Sequence, residues 1–322
     1  ENAKLIRFYP DPNPIGLRQE LANYVGHGVT ADNIILGNGS IELIYMIAEI
    51  FPKPFKAIIP IPSFTEYEKA TLRVQGEPIY LNLPSDFSLN NDDIKKAITA
   101  DTRIVCLCNP HSPSGALYDR QTTLDLVEFC QKQNIIVSID ENYIEFTDKG
   151  EAATLAGDIK KYENLFVIRS VTKFYGMPGI RFGYAIASES LIDTLQTVRQ
   201  PWSINGLAEC ATIAAIKDTQ FIDHTKRTIA QERTQFTRLL NEISSLKVFP
   251  SETSFLLVKI LTPKITSTLL REQLAKEGML IRDCSTFLGL DNSYFRLTIR
   301  SEEENQKLVT KLKQIIQQYT LS

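Results

Sequence analysis

The sequence predicts an α/β protein with a mostly parallel central sheet, helices on both faces of that sheet, and a smaller α/β domain after it. From about residue 31 to residue 187, apolar β-like runs alternate with amphipathic helical patterns. Strands as apolar as these are typical of a parallel sheet that helices cover on each side. The 322 residues, of which 43% are hydrophobic and 23% charged, are enough for a large core and for two domains.

The elements of the first part of the chain alternate between strand and helix. Candidate strands cover residues 57–60, 78–81, 103–108, 135–139, 165–168 and 182–186. Candidate helices cover residues 41–50, 66–74, 91–97 and 120–131. Right-handed crossovers between parallel strands place ligand-binding loops at the carboxyl ends of the strands, so we expect the functional residues there.

The second part of the chain begins with a long helical stretch over about residues 207–242. It continues with β-like residues 254–260, a helix over 267–277, β-like residues 295–299 and a terminal helix from Glu302. We therefore divide the chain into a large domain at 31–235 and a small domain at 236–322. Residues 1–30 are expected to join the small domain or to form a dimer contact.

Charge and cysteine content narrow the possible partners and compartments. The formal net charge is −3, and lysine and arginine are spread along the chain, so we expect neither nucleic-acid nor membrane binding. No apolar run approaches the roughly 18 residues of a membrane span. The five cysteines lack metal-ligand spacing, which predicts buried free thiols, no metal site and a cytoplasmic location.

The segment from Arg169 to Tyr184 carries the strongest chemical signal. It places Lys173 directly after two hydroxyl residues, Ser170 and Thr172, and Arg181 follows. A lysine held among hydroxyl and guanidinium donors suits an imine-forming amine beside a bound phosphate. The alternative is a lysine in a surface loop between two strands.

Three features upstream would complete such a site. The turn Gly37-Asn38-Gly39-Ser40 precedes a helix and suits an anion, although a plain turn capped by Ser40 would look the same. Asp140 follows a strand, where a carboxylate can hold a cofactor's pyridine nitrogen protonated, or can lie in an ordinary surface loop. The rigid loop over residues 109–115 also follows a strand, and its alternative is an ordinary proline-rich loop.

The order and spacing of these segments resemble the histidinol-phosphate aminotransferase branch of the fold-type-I pyridoxal-phosphate enzymes, which share the aspartate aminotransferase fold. The resemblance covers almost the whole chain and implies the cofactor pyridoxal 5'-phosphate. It implies that Lys173 forms the imine, Asp140 pairs with the pyridine nitrogen, Tyr143 bonds the phenolic oxygen and Phe64 stacks on the ring. The implied phosphate ligands are Gly39, Ser40, Ile41, Ser170, Thr172 and Arg181, with Tyr9 reaching the phosphate of a neighbouring subunit in a homodimer.

One loop departs from the pattern of that branch. The family usually has Asn-Asn-Pro-Thr-Gly, in which the asparagine before proline contacts the phenolic oxygen. This chain has Ser112 at that position and His111 before it. A serine hydroxyl can still donate, but its reach is shorter. His111 is expected either to face the cofactor or to cap the loop.

The downstream half resembles threonine-phosphate decarboxylases. The resemblance lies in Pro-Trp-Ser-Ile-Asn around Trp202 and in the segments that carry Arg282, Arg296 and Arg300, the last of which is typically glycine in histidinol-phosphate aminotransferases. Two arginine forks on the small domain, Arg282 and Arg296, suit a dianionic phosphate, although surface salt bridges are the commoner role of arginine.

The implied reaction is decarboxylation of an O-phospho amino acid. The expected substrate is L-threonine O-3-phosphate, giving (R)-1-aminopropan-2-yl phosphate and CO₂ for cobalamin biosynthesis. Serine phosphate differs by one methyl group, which is worth only about 1–3 kcal/mol in a pocket, so it stays open. The alternatives are a histidinol-phosphate or other class I/II aminotransferase, and a cofactor-binding module without activity.

Overall fold

The computed structural model describes residues 2–320 and confirms the α/β fold with a mostly parallel sheet. Seven strands form the large sheet: β1 Ile34–Gly37, β2 Lys56–Ile61, β3 Glu77–Asn82, β4 Thr102–Cys108, β5 Ile136–Asp140, β6 Leu165–Ser170 and β7 Gly183–Ala187. Their order across the sheet is β1-β7-β6-β5-β4-β2-β3. Within it β7 runs antiparallel to both of its neighbours, and the remaining strands run in a common direction.

The small sheet is antiparallel, in the order β10-β11-β9-β8. Its strands are β8 Leu246–Val248, β9 Phe255–Ile260, β10 Arg282–Asp283 and β11 Tyr294–Thr298. The helices of the chain are α1 Ile15–Val25, α2 Ser40–Glu49, α3 Glu66–Arg73, α4 Asn91–Ala97, α5 Arg120–Gln131, α6 Glu189–Gln196, α7 Gly206–Lys217, α8 Thr219–Asn241, α9 Ser267–Lys276 and α10 Glu302–Thr320.

Both faces of the large sheet are buried, as its apolar strands predict. Side chains alternate along β4, where Val105 and Leu107 enter one core and Ile104 and Cys106 enter the other. Residues of α1 and α5 belong to the first core, and residues of α2, α3 and α6 belong to the second. The apolar strand residues form the two cores, so we expect functional side chains at the strand ends and in the loops that follow them.

The N-terminal helix packs on the large sheet. Residues Leu17, Leu21 and Val25 of α1 are buried in the core of that sheet. The apolar side chains of α1 recur at helical spacing and need a core, and the first face of the sheet supplies it. The division at 30/31 and 235/236, and the place of residues 1–30 in the small domain or a dimer contact, stay predictions; the second boundary lies within the continuous helix α8.

The long helical stretch after the lysine region is two helices. The backbone of Asp218 leaves the helical region, and its carboxylate caps α8 by accepting from the Phe221 N–H. Aspartate competes well for this capping role, so the chain turns there. The sequence patterns also missed the short elements β1, α1, α6, β8 and β10.

Helices on one side and arginines on the other distinguish the two faces of the small sheet. Phe236, Leu270 and Leu312 of α8, α9 and α10 form the core on the helical face. Leu257 and Arg296 are paired on the opposite face, which turns toward the large sheet. The cleft between the two sheets therefore has a cationic wall.

No helix within residues 2–320 has the length and apolar character that a bilayer crossing requires. Within the same residues, no cluster of three or more histidine, cysteine or acidic side chains is arranged to hold a metal ion. All five cysteines are free thiols; four are buried and Cys210 is half-buried.

Candidate active site

A cavity of about 360 Å³ lies at the carboxyl ends of the large sheet's parallel strands, beneath the small domain. Its walls bring together residues that are far apart in sequence. They are Ser40, Ile41, Phe64, Thr65, Cys108, Ser112, Asp140, Asn142, Tyr143, Ser170, Thr172, Lys173, Arg181, Arg282, Phe287 and Arg296. The cavity thus gathers the predicted site residues except Gly39, which directly precedes its wall, and Tyr9.

Asp140 ends β5 and lies at the buried base of the cavity. Its carboxylate accepts a hydrogen bond from the Tyr67 hydroxyl at 2.9 Å and another from the backbone N–H of Asn142 at 3.0 Å. Burial raises the pKa of Asp140, and these donors oppose that rise. A carboxylate in this setting is suited to share a proton with a ring nitrogen.

Lys173 lies in the loop after β6, and its amine opens into the cavity. Nζ lies 6.0 Å from the centroid of the Tyr143 ring. Partial burial lowers the pKa of Lys173, the positive charges of Arg296 and Arg181 lower it further, and Asp140 opposes them. More of this amine is therefore neutral and nucleophilic near neutral pH than of a free lysine.

Tyr143 occupies the wall between the lysine and the small domain. Its ring packs edge-on against Phe255, with centroids 5.0 Å apart. Burial raises the pKa of Tyr143 to about 12, although the Arg296 charge acts in the opposite direction. The phenol therefore stays protonated and can donate a hydrogen bond.

The turn before α2, at Gly39 and Ser40, is built by close backbone contacts. Gly39 has a φ of +81°, and a Cβ there would overlap the Arg181 guanidinium. A Cβ on Gly183 of β7 would meet the backbone of this turn, with Gly39 C at 2.7 Å and Ser40 Cα at 2.9 Å. Ser40 begins α2, so the positive end of the helix lies at this turn, beside the Arg181 guanidinium.

The other phosphate ligands implied by the resemblance lie around this turn. Ser170 is buried at the end of β6, and its hydroxyl accepts from the Thr172 N–H at 3.3 Å. Arg181 has a left-handed backbone with φ 58°, and its Nη1 donates to the Pro178 carbonyl at 3.1 Å. These contacts orient hydroxyl and guanidinium donors toward the cavity.

A buried ion pair joins the two strand ends that carry these groups. Arg169 Nε donates to Glu141 Oε2 at 3.1 Å, and both side chains are completely buried. The Thr154 hydroxyl donates to the same carboxylate at 2.6 Å. Since Glu141 follows Asp140 and Arg169 precedes Ser170, this pair fixes the carboxyl ends of β5 and β6 relative to each other.

His111 points away from the cavity and into its own loop. The His111 ring is buried; Nε2 donates to the Pro62 carbonyl at 2.8 Å and Nδ1 accepts from the Ser114 hydroxyl at 2.6 Å. Burial lowers the pKa of His111 to about 4. His111 therefore caps the loop as a neutral side chain, and Ser112 is the residue of this pair that faces the cavity.

Two arginines form the small-domain wall. Arg282 lies opposite Arg296 in the β10–β11 pair. Arg296 Nη1 donates to the Ser112 hydroxyl at 3.2 Å, and its guanidinium lies over the Phe255 ring at 4.6 Å. Arg282 donates to Thr286 at 3.2 Å. Among residues 2–320, neither guanidinium has a carboxylate partner.

Sequence reasoning missed Tyr67 and Asn142. Tyr67 lies three residues after Phe64, and the two rings meet edge-on at 5.8 Å. Asn142 donates through Nδ2 to the Ser40 hydroxyl at 3.1 Å. The position of Asn142, two residues after Asp140 and one before Tyr143, was the only available signal for it.

Three residues singled out by their motifs lie outside the cavity. Tyr9 is 86% exposed and packs on Trp202, with ring centroids 5.5 Å apart. Arg300 forms an exposed ion pair with Glu304 at 3.4 Å. The reach of Tyr9 into a neighbouring subunit stays a prediction.

The donor set fits pyridoxal phosphate. A cationic turn, a buried carboxylate, a phenol and an amine of lowered pKa surround one cavity, with Phe64 on its wall. These groups match the phosphate, ring nitrogen, phenolic oxygen, aldehyde and ring face of that cofactor.

Known proteins of similar sequence and structure belong to one enzyme family. The profile of the family "Aminotransferase class I and II" matches residues 2–312. A Caldanaerobacter subterraneus subsp. tengcongensis protein, provisionally named a threonine-phosphate decarboxylase, is 38% identical over 310 residues. The match covers 95% of this chain and 82% of that protein.

Two solved structures are similar over nearly the whole chain. The histidinol-phosphate aminotransferase of Clostridium acetobutylicum has a TM-score of 0.91 at 33% identity, over 98% of this chain and 92% of that one. The L-threonine-O-3-phosphate decarboxylase of Porphyromonas gingivalis has a TM-score of 0.85 at 32% identity, over 98% and 93%. The chain therefore belongs to the aminotransferase class I and II family of fold-type-I pyridoxal-phosphate enzymes.

Proposed function

We propose that this protein decarboxylates an O-phospho amino acid, with L-threonine O-3-phosphate as substrate and an aminopropanol phosphate of cobalamin biosynthesis as product. The observation that carries the proposal is the pairing of Arg282 with Arg296 on the cavity wall. The similarity to threonine-phosphate decarboxylases in sequence and in structure supports the choice of substrate.

The arginine pair favours a dianionic ligand on electrostatic grounds. Like charges directly opposite each other on adjacent strands repel, so the pair is costly unless an anion lies between or beside them. Neither Arg282 nor Arg296 is neutralised by a carboxylate within residues 2–320. A phosphate monoester carries close to two negative charges and can accept hydrogen bonds from both forks.

The proposed roles of the cavity residues follow from their positions. When bound, pyridoxal phosphate supplies a conjugated ring that accepts the electron pair released at the substrate Cα. Asp140 holds the proton on the ring nitrogen, and Tyr143 donates to the phenolic oxygen. Ser40 and Arg181 bind the cofactor phosphate, and Phe64 restrains the ring from one face.

Reaction choice then depends on how the substrate is oriented. With the cofactor bound, the Cα bond that the protein holds in line with the ring's π electrons would be the one weakened, so the residues that orient the substrate would select the reaction. If Arg282 and Arg296 hold the substrate phosphate, the carboxylate can be left perpendicular to the ring and leaves as CO₂. The lowered pKa of Lys173 suits its amine to move one proton, here onto Cα.

Transamination of histidinol phosphate is the second candidate. It is favoured by the close likeness to the Clostridium acetobutylicum structure. In that reaction the same arginines would hold the phosphate of histidinol phosphate, and Lys173 would remove the Cα proton. The residues of the cavity serve both outcomes, so the substrate supplied decides between them.

The deciding experiment offers both substrates to the same cofactor-loaded protein. We expect CO₂ release from L-threonine O-3-phosphate, and no 2-oxoglutarate-dependent loss of histidinol phosphate. The reverse pattern would replace decarboxylation by transamination. Activity with neither compound, in protein whose visible cofactor band is lost in Lys173→Ala, would contradict both substrate assignments and leave the cofactor site intact.

The proposed active unit is a homodimer in which Tyr9 reaches the partner's cofactor phosphate. Tyr9 is supported in this role by its exposure beside the exposed side chains of Phe8 and Trp202. Mixing inactive Tyr9→Ala and Lys173→Ala proteins tests this role. Hybrid dimers with one intact site should recover part of the activity if Tyr9 acts across subunits, and recovery should fail if it acts within its own chain.

A further inference from the structure

Asn142 contacts two parts of the cavity, the carboxylate of Asp140 and the hydroxyl of Ser40. Its side chain is 8% exposed and lies on the cavity wall. Its backbone N–H donates to Asp140 Oδ1 at 3.0 Å, and its side-chain Nδ2 donates to the Ser40 hydroxyl at 3.1 Å. One residue therefore bridges the carboxylate at the base and the first residue of α2.

The surroundings of Asn142 fix which way its amide points. Burial raises the pKa of Asp140, and both the backbone and the side-chain N–H groups of Asn142 oppose that rise. An amide that faces a carboxylate must present its nitrogen, because the amide oxygen is only an acceptor. The amide oxygen is buried and has no hydrogen-bond partner among residues 2–320.

This orientation determines the role of the Ser40 hydroxyl. A serine hydroxyl has a single hydrogen to donate, and its oxygen can accept at the same time. Because Ser40 Oγ accepts from Asn142, its own hydrogen is left free for another acceptor. Ser40 lies at the start of α2 beside Gly39 and Arg181, where donors already converge on one region of the cavity.

We propose that Asn142 is a positioning residue for the cofactor phosphate, and that it holds the Ser40 hydroxyl with its hydrogen directed at a phosphate oxygen. This inference rests on the proposed placement of the phosphate at Ser40 and Arg181. It does not depend on the choice between decarboxylation and transamination. Asn142 acts through Ser40 and need not touch substrate.

Binding of two cofactors to the apoprotein separates this role from a general one. Pyridoxal 5'-phosphate and pyridoxal share the ring and the aldehyde, but only the first has a phosphate. We expect Asn142→Ala to raise the Kd for pyridoxal 5'-phosphate about two- to tenfold more than it raises the Kd for pyridoxal, since one hydrogen bond of the phosphate site is lost, whereas any effect through Asp140 acts on both cofactors alike. The Kd values are measured from the absorption of the bound cofactor.

Two further variants make the test specific. Asn142→Asp keeps the size of the side chain but cannot donate, and it places a negative charge near the phosphate, so it should weaken pyridoxal 5'-phosphate more than Asn142→Ala does. It also serves if Asn142→Ala fails to fold. In a Ser40→Ala background, Asn142→Ala should no longer weaken the phosphorylated cofactor more than pyridoxal.

The outcomes distinguish this inference from the function on which it rests. Equal weakening of both cofactors by Asn142→Ala, or a phosphate-selective loss that persists without the Ser40 hydroxyl, would overturn the role of Asn142 alone. If Ser40→Ala and Arg181→Gln also weaken both cofactors equally, the phosphate placement itself is wrong and the inference falls with it. A loss confined to pyridoxal 5'-phosphate and dependent on Ser40 supports it.

Discussion

Arg282 and Arg296 lie directly opposite each other in the β10–β11 pair, at the edge of the small sheet and on the wall of the cavity. The Ser112 hydroxyl accepts from Arg296, but it cannot neutralise a guanidinium. The structure thus places two adjacent positive charges above the lysine, and a bound dianion would offset their repulsion.

Replacing Arg296 by glutamine should weaken phosphorylated substrates selectively. A hydrogen bond to a charged group is worth about 1.5–3 kcal/mol, so we expect KM for the phospho-amino acid to rise about 10- to 100-fold. The inhibition constant of inorganic phosphate should rise in parallel. Arg296→Lys should be intermediate, because it keeps the charge and loses the fork.

The matched control for this variant is Arg271→Gln, since Arg271 is an exposed arginine on α9 of the same region. It removes one positive charge without touching the cavity, so KM should stay near that of the wild type. An unchanged KM in Arg296→Gln would contradict the assignment of the arginine pair to the phosphate.

Lys173 should capture the cofactor with a rate that rises with pH and levels off below the pKa of a free lysine. Its pKa is lowered by burial and by Arg296, and the neutral amine is the nucleophile, so the neutral fraction is reached at lower pH. Removing the Arg296 charge should move the profile to higher pH. Stopped-flow absorbance of apoprotein mixed with pyridoxal 5'-phosphate over a pH series measures both midpoints, and a shift to lower pH in Arg296→Gln would contradict the coupling.

Gly183→Ala should impair cofactor binding through backbone crowding. The new Cβ would meet the backbone of Gly39 and Ser40, so the turn before α2 must move. We expect a loss of about 1–3 kcal/mol in stability and a raised Kd for pyridoxal 5'-phosphate. Gly179→Ala is the matched control, because a Cβ there has nothing within 4 Å; a Gly183→Ala protein that behaved like this control would show that the turn tolerates the shift.

His111 should make the protein sensitive to acid. Burial lowers its pKa to about 4 in the folded protein, whereas a histidine in an unfolded chain has a pKa near its ordinary 6.5. The unfolded chain therefore binds more protons in this window, so stability is lost as pH falls from about 6.5 to about 4, by up to about 3 kcal/mol. His111→Asn removes the titrating ring, and urea unfolding at several pH values should show a weaker dependence on pH over that window than in the wild type.

The lysine, the aspartate and the central strands could be predicted because their signals are local. Lys173, Asp140 and Ser170 follow apolar strands, and strand ends in parallel sheets meet at one edge. The positions of Arg181 and Gly39 near this edge could also be predicted, because each lies in a motif of neighbouring residues. The short elements β1 and β10 escaped detection because four residues and two residues are too few to show a period.

Contacts between distant segments could not be read from the sequence. The direction of His111 depends on the Pro62 carbonyl at the end of another strand, and the Asn142 contact depends on Ser40, 102 positions away. The facing of Arg282 and Arg296 depends on the register of a strand two residues long. Each of these needs the tertiary fold, which fixes distances that propensities do not contain.

The contact between Arg296 and Ser112 has a consequence for building chimaeras within this family. The small domain also rests on the same loop through Glu252, whose N–H donates to the Gly115 carbonyl at 2.8 Å. A graft of residues 246–298 from a relative with another substrate would therefore meet a loop shaped for this chain's own arginines. We therefore expect a transfer of substrate specificity to require that residues 109–115 and the small sheet are exchanged together.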